Sequence, residues 1–573
     1  MPDHDDLTHV SMTGAEAVVH ILRHLRITEV FGLASGKLSP LFKALFACDD
    51  MRFTGVRHEA SAAFMASGIA ASTGRIALCL GETGPGGLNL LSALGGAWAN
   101  HLPVLAITSS NPSAIMHPHR GGFSSTDNEA LYRRLTKWTC RASIGERLPE
   151  LVHRALREAL SGRPGPVHLD IPAEILGGTF RYSRAELDAP MASFMGRPPA
   201  PHAQDVAQVV DLLRNAKRPL IVAGGGVARS GPEACTRLVA LLERIGCPGL
   251  TTQMGLGVIP QDHTLCLGQG GFVGGPAVVE AMQQADLVLA LGCRFSSFMW
   301  VDGPPKWDDR PARKLVQIDI DPAALGQTLP LTLGLTSDAA LALEALLEAL
   351  TDIELAPDAD WLPGLVAKRD SARAAIPLAD IDGQMHPGAL AQGVARHIRS
   401  DDLVTFDGGH TSFWSNEFTP ALSYSTRFHE PGMSHLGFGL PAALAMARAH
   451  PDRRVFCLTG DGAFGFTLQE LDTARRYGIK VITVIHNNAS WGVIRAAQRK
   501  NGFEIGTDLE GTDYAAIARA FGCHGERLER AEDLDAVMAR ALAAETSVVI
   551  DAQVAWAPHP MFPTFGRSTA HRL

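Results

Sequence analysis

Short, nearly unbroken apolar runs recur along this chain, each closed by a glycine or polar turn and followed by a longer stretch with helical spacing. Residues 455–459 and 481–485 read as buried parallel strands, since a strand covered by helices on both faces loses the polar alternation of a half-exposed one. Residues 466–477 between them read as an amphipathic helix. The same rhythm occurs earlier. Residues 75–80 and 103–108 predict strands, 60–71 predicts an apolar helix, and 165–172 closes that stretch. In the middle, residues 219–223, 287–291 and 314–320 predict three more strands. Alternating βα units imply parallel sheets with helices on both faces, so the expected class is α/β with three doubly wound parallel-sheet domains.

A Pro/Ala-rich linker at 197–201 and a polar, acidic stretch at 351–382 divide the pattern. The expected domains are 1–180, 200–355 and 375–556. The tail, 557–573, contains three prolines and no periodicity, and reads as a lid or a loose end. A length of 573 residues exceeds what one core organises. The formal net charge of −9, with no basic run, argues against nucleic acid or an anionic membrane as partner. Nine cysteines lie singly, without CxxC spacing, as in reducing compartments. The first ten residues are acidic and polar, unlike a signal peptide, and no apolar stretch is long enough to span a bilayer. The expectation is a cytoplasmic protein acting on small molecules.

The chemistry concentrates in Gly460-Asp461-Gly462, followed after 24 intervening residues by Asn487-Asn488. One βαβ unit carries Asp461 and Asn488 to the same carboxyl edge of a sheet, where open α/β sheets bind ligands. Two hard oxygen ligands beside glycines that admit close backbone approach suit Mg²⁺ bridging to a diphosphate. A plain βαβ unit with a polar turn has the same pattern. Glu59 opens the apolar helix after Arg57-His58. A carboxylate among Ala, Met and Phe is poorly solvated and inclined to a raised pKa, although an acid at a helix start is also favoured by the helix dipole alone.

The 460–488 segment resembles the thiamine-diphosphate signature. Arg57-His58-Glu59, Thr83-Gly84-Pro85-Gly86 with Asn89, Arg163-Pro164-Gly165-Pro166-Val167 with Asp170-Ile171-Pro172, and Gly437-Phe438-Gly439-Leu440-Pro441 extend the resemblance over nearly the whole chain. They resemble the acetolactate synthase and pyruvate oxidase group, and residues 487–492, NNASWG, are similar to benzaldehyde lyase. This resemblance implies a pyrimidine-binding, a central and a diphosphate-binding domain. It implies that Glu59 bonds the aminopyrimidine and so promotes loss of the thiazolium C2 proton. Asp461, the Asn488 side chain and the Ser490 carbonyl would hold Mg²⁺. Leu436 would support the bent cofactor, and the Ser434 carbonyl would receive its amino group. Pro85, Asn89, Gly409, His410, Thr411, Gly460, Gly462, Ala463 and Phe464 complete the implied cofactor contacts. Because the family builds each site from two subunits, a homodimer is the smallest unit implied, and a tetramer is expected.

Several positions depart from the acetolactate synthase pattern. Phe123 is followed by Ser124 where that group has Gln, Ala497 stands in place of the acceptor-pocket Trp, and Lys37 replaces a small residue. Lys37 beside the reacting carbon would favour an anionic substrate, or else point to solvent. His435 stands where Ala or Ser is usual and would act as acid/base, or merely pack. In the centre, residues 223–226 (AGGG), 251–257 and 292–295 look like a flavin-binding domain. Residues 267–271 and Phe298 depart from it, so a vestigial domain without FAD is expected. The expected activity is a carboligase or lyase acting on a 2-oxo acid or 2-hydroxyketone, with an altered acceptor pocket. The alternatives are a hydrolase or lyase of a diketone or acyloin, and a non-catalytic cofactor-binding paralogue.

Overall fold

A computed structural model describes residues 8–560 except 117, 119, 297, 298 and 300–312. Parallel pairing needs a crossover of a dozen residues or more, so each helical stretch read from the sequence becomes a cover on a sheet face. Three six-stranded sheets result, and all pairings within them are parallel. The first contains β2 (Glu29–Gly32), β3 (Arg52–Gly55), β4 (Ala77–Glu82), β5 (Val104–Ser110), β6 (Trp138–Arg141) and β7 (Val167–Pro172), ordered β3-β2-β4-β5-β7-β6. An antiparallel ribbon of β1 (His9–Thr13) and β8 (Thr179–Ser183) closes this domain.

The central sheet contains β9 (Pro219–Ala223), β10 (Gly249–Thr251), β11 (Cys266–Gln269), β12 (Leu287–Leu291), β13 (Lys314–Asp319) and β14 (Leu333–Thr336), ordered β11-β10-β9-β12-β13-β14. The third contains β15 (Leu403–Phe406), β16 (Arg427–His429), β17 (Val455–Gly460), β18 (Ile482–Asn487), β19 (His524–Leu528) and β20 (Val548–Gln553), ordered β16-β15-β17-β18-β20-β19. The first and third sheets end on an inverted pair, β7-β6 and β20-β19, and chain direction across every sheet switches at β2/β4, β9/β12 and β15/β17. Successive loops diverge there and leave a crevice at the carboxyl edge.

Helix α1 (Glu59–Thr73) carries small and apolar residues all round and is buried almost throughout. Its second face packs on a helix of the third domain, α4 (Gly439–Ala449), labelled here after α2 (Pro85–Asn100) and α3 (His410–Phe418). The approach is close: a Cβ on Gly68 would stand 2.8 Å from the Ala442 carbonyl oxygen. First and third domains therefore share one apolar core containing Phe64, Ala66, Leu444 and Phe464.

The helix expected over 466–477 is shorter. A four-residue turn, α5 (Asp461–Phe464), precedes a helix confined to Glu470–Arg476. The intervening turn is held from outside, where Thr467 Oγ1 donates to the Gly437 carbonyl at 2.9 Å. Trp556 Nε1 donates to the Gly492 carbonyl and Trp414 Nε1 to that of Ala557, so the start of the tail packs on the third domain. Residues 561–573 lie outside the described residues. All nine cysteines are free, and no helix among the described residues is long and apolar enough to cross a membrane.

Candidate active site

The crevice between β15 and β17 is a cavity of about 290 Å³. Parallel register sets Gly460 beside His486, so Asp461 and Asn488 both emerge at its mouth. The Ser490 N–H reaches both, at 3.2 Å from Asp461 Oδ2 and 3.1 Å from Asn488 Oδ1. The two oxygens thus lie side by side. Ala489 makes this possible by taking a left-handed φ of 49°, an uncommon conformation for a residue with a Cβ. Asn487 serves the frame instead, donating to Asp551 at 2.9 Å. Asp461 is 4% exposed, and burial pushes its carboxyl up to about 6 despite N–H donors from Gly462 and Ser490. Gly462 must lack a side chain, since a Cβ there would meet the Trp491 ring at 2.5 Å.

Gly409, His410, Thr411, Ser434, His435, Leu436, Gly460, Gly462, Ala463, Asn488 and Ser490 all line this cavity with Asp461. Phe464 does not. One residue further along α5, it turns into the core and packs edge-on against Tyr514 at 5.5 Å between centroids. His435 lines the cavity with both ring nitrogens engaged: Nδ1 with the Leu436 carbonyl at 3.0 Å, and Nε2 with Ser92 Oγ at 2.8 Å. In the neutral tautomer Nδ1 donates and Nε2 accepts, and the ring clamps the loop to α2.

Two carboxylates missed in the sequence hold that loop. Buried Asp407 accepts from the N–H groups of Gly408, Gly437 and Gly439 at 2.7, 3.1 and 2.8 Å. Buried Glu430 accepts from the N–H groups of Met433 and His435 and from the Asn100 amide. Each follows a strand as one polar residue in a loop, and only the fold brings its donors round it.

The first sheet builds a second group at its own switch point. Asn89 Nδ2 donates to Glu59 Oε2 at 3.0 Å, and a Cβ on Gly86 would stand 3.2 Å from Oε1. Pro85 starts α2 after Gly84, whose φ of 81° makes the sharp exit from β4. Lys37, expected either as a cation for the substrate or in solvent, is paired: Nζ donates to Glu82 Oε1 at 3.1 Å and its N–H to Oε2 at 3.2 Å. Glu82 ends a buried strand, a place where a carboxylate requires a partner.

Among the described residues, the Asp461 cavity is lined by the third domain alone, so Glu59, Asn89, Pro85 and Lys37 stand apart from it within one chain. Ala497 is also outside the lining. It lies on α6 (Gly492–Lys500), three and four residues beyond Ile494 and Val493, which do line the cavity.

The central switch point holds a cavity of about 440 Å³, lined by Gly225, Gly226, Arg229, Gly292 and Arg294 among others. It is open and not filled in. Arg229 donates to the carbonyls of Asn100 and His101, and Arg294 to that of Ala99 and to His101 Nε2. Burial, then the charges of Arg229 and Arg294, push His101 down to about 2. Phe298 lies outside the described residues.

Residues 12–131, 206–346 and 407–552 match in turn the N-terminal TPP binding domain, the central domain and the C-terminal TPP binding domain of thiamine pyrophosphate enzymes. The chain is 30% identical to a probable acetolactate synthase large subunit of Methanocaldococcus jannaschii, covering 97% of this chain and 95% of that protein. It is 31% identical to an acetolactate synthase of Mycobacterium avium over 98% and 90% of the two chains. Identity to the acetolactate synthase isozyme 1 large subunit of Escherichia coli K12 is 30%, over 90% and 89%. The three domains, their order and this full-length similarity establish that the chain belongs to the thiamine-diphosphate-dependent enzymes of the acetolactate synthase group, catalysts of C–C bond transfer and cleavage.

Proposed function

We propose that this chain is a carboligase or lyase that makes or breaks the C–C bond next to a carbonyl, with a substrate side unlike that of the synthases. The observation that carries the reading is the Glu59–Asn89 pair, kept intact alongside the oxygen wall of Asp461 and Asn488. A protein released from catalysis has no physical need for both.

The wall fits Mg²⁺. It offers one carboxylate, one amide oxygen and a main-chain carbonyl, all hard ligands, and among the described residues no cation offsets the charge of its buried carboxylate. Asp461, Asn488 and the Ser490 carbonyl would hold the metal against a diphosphate. When bound, thiamine diphosphate supplies a nucleophilic carbon that adds to carbonyls and then stores the electron pair. Glu59 supplies the proton relay. Asn89 occupies Oε2, which leaves Oε1 as the oxygen that holds or releases the proton. The Ser434 carbonyl and Leu436 would orient the aminopyrimidine, and Trp491 over Gly462 keeps water from that corner.

A homodimer is the smallest active unit in this reading, and a tetramer is the expected assembly. Leu88 and Phe123 stand 46% and 86% exposed beside the Glu59 group, while Phe466 and Ile494 are each 53% exposed in the third domain, Ile494 lining the Asp461 cavity. An isologous pairing of two chains would cover both sets and complete two sites. No flavin is expected, because Arg229 and Arg294 are engaged with the end of α2.

The test is isotope exchange at C2 of thiamine diphosphate added with Mg²⁺, followed by NMR. Wild type should exchange fast, and Glu59→Gln should be slower by about 10²–10⁴. Equal rates in both proteins would remove Glu59 from the chemistry.

A further inference from the structure

Lys37 lies in the loop after β2 and Glu82 ends β4, so their ion pair bridges the switch point of the first sheet. The pair is secluded, its side chains being 18% and 21% exposed. It adjoins the activating carboxylate: a Cβ on Gly86 would stand 3.2 Å from Glu59 Oε1 and 3.7 Å from the Glu82 Cβ. The Lys37 ammonium also sits 5.7 Å from the centroid of the Phe123 ring, which is an apolar and exposed face.

We infer that the Lys37–Glu82 pair is a specificity determinant that selects uncharged, hydroxyl-bearing carbonyl compounds over 2-oxo acids. This rests on the reading of Glu59 given above and names the substrate class of that site. The argument is one of charge. A lone ammonium near the reacting carbon would attract a carboxylate. With Glu82 bound through both Nζ and the main-chain N–H, the group is neutral, and an arriving carboxylate meets Glu82 as closely as Lys37. It would lose its water without gaining a net opposite charge. A 2-hydroxyketone has no such loss. Its hydroxyl donates to a carboxylate lone pair, its carbonyl accepts from the remaining ammonium hydrogens, and its carbon skeleton lies on Phe123.

The experiment uses full-length protein loaded with thiamine diphosphate and Mg²⁺. Acetoin and pyruvate, a neutral and an anionic probe of similar size, are titrated separately, and the concentration of each that halves C2 exchange is recorded. Wild type should respond to acetoin at about tenfold lower concentration. Glu82→Gln, which leaves the ammonium unbalanced, should shift that ratio towards pyruvate by about tenfold. Lys37→Met, which leaves the carboxylate, should shift it the other way, and the double variant should return close to the wild-type ratio. A merely structural pair would weaken both probes together in both single variants, and that result overturns the inference. So does wild type that prefers pyruvate or ignores acetoin. If wild type shows no C2 exchange even without probe, the reading of Glu59 fails first.

Discussion

Glu59 faces Gly86 across the start of two helices, and the position a Cβ would take on Gly86 is 3.2 Å from Glu59 Oε1. The Gly86 φ is not among the left-handed ones, so what an added side chain would meet there is the tight approach to Glu59 and not backbone strain. Gly86→Ala should therefore displace the carboxylate by a few tenths of an ångström while leaving the fold intact. C2 exchange should fall, by less than the roughly 10²-fold that misplacement of a catalytic group by about 1 Å brings elsewhere. Thermal unfolding should move little. Unchanged exchange would mean that Glu59 has room to give.

Asp461→Ala removes the only carboxylate of the oxygen wall. Calorimetry should show Mg²⁺-dependent affinity for thiamine diphosphate reduced by about 100-fold or more. Stability should hold or rise, because the group is buried at a cost that its N–H donors do not offset, as its carboxyl raised to about 6 records. Cofactor affinity equal to wild type would refute the metal assignment.

The purified protein should show no flavin absorbance near about 450 nm, the region set by the flavin itself. Arg229 and Arg294 would have to leave the terminal carbonyls of α2 to meet a diphosphate. A stoichiometric yellow preparation would show that they do so.

Stability should decline as pH falls below about 6.5. Burial pushes His168 and His486 down to about 3 and His429 to about 4, so each stays neutral in the fold and takes a proton once unfolded. Below about 6.5 the unfolded chain binds more protons than the native one. Each such histidine then costs about 1.4 kcal/mol per pH unit until its folded value is reached. Asp407 and Asp461, raised to about 6, act in the opposite sense between about 4 and 6. Denaturant midpoints measured from pH 7.5 to 5 should therefore fall, and His168→Gln should flatten the slope. His168 is bonded to the hydroxyls of Thr108 and Thr139, which a glutamine amide can still reach. A rising midpoint on acidification would contradict the account.

The strand ends that carry the candidate cofactor residues were legible because each depends on a local rule. A strand, a glycine turn and a helix put Asp461 at a sheet edge whatever surrounds them, and the next strand in register brings Asn488 alongside. Glu59 was visible at the start of an apolar helix, and the family resemblance, not that position, singled it out from an ordinary helix-start acid. Lys37 was read as a lone cation since its partner is 45 residues away, at the end of a neighbouring strand. His435 was left between acid/base and packing for the same reason: Ser92, which occupies one of its nitrogens, lies 343 residues before it. Phe464 was assigned to the diphosphate by counting from Asp461, but a single helical step turned it inward.

The sequence by itself determined the class of sheet, the three βα stretches and the cofactor family. Those features are carried by periodicity, turn chemistry and short spacings, which act within a few dozen residues. The tertiary structure alone decided the charge and the occupation of the site. It put Glu82 on Lys37, Ser92 on His435 and Gly437 and Gly439 on Asp407, and it left Glu59 apart from Asp461 within one chain. Charge and hydrogen-bond occupancy depend on which groups strand order and helix packing bring within about 3 Å, a distance that spacing along the chain does not encode.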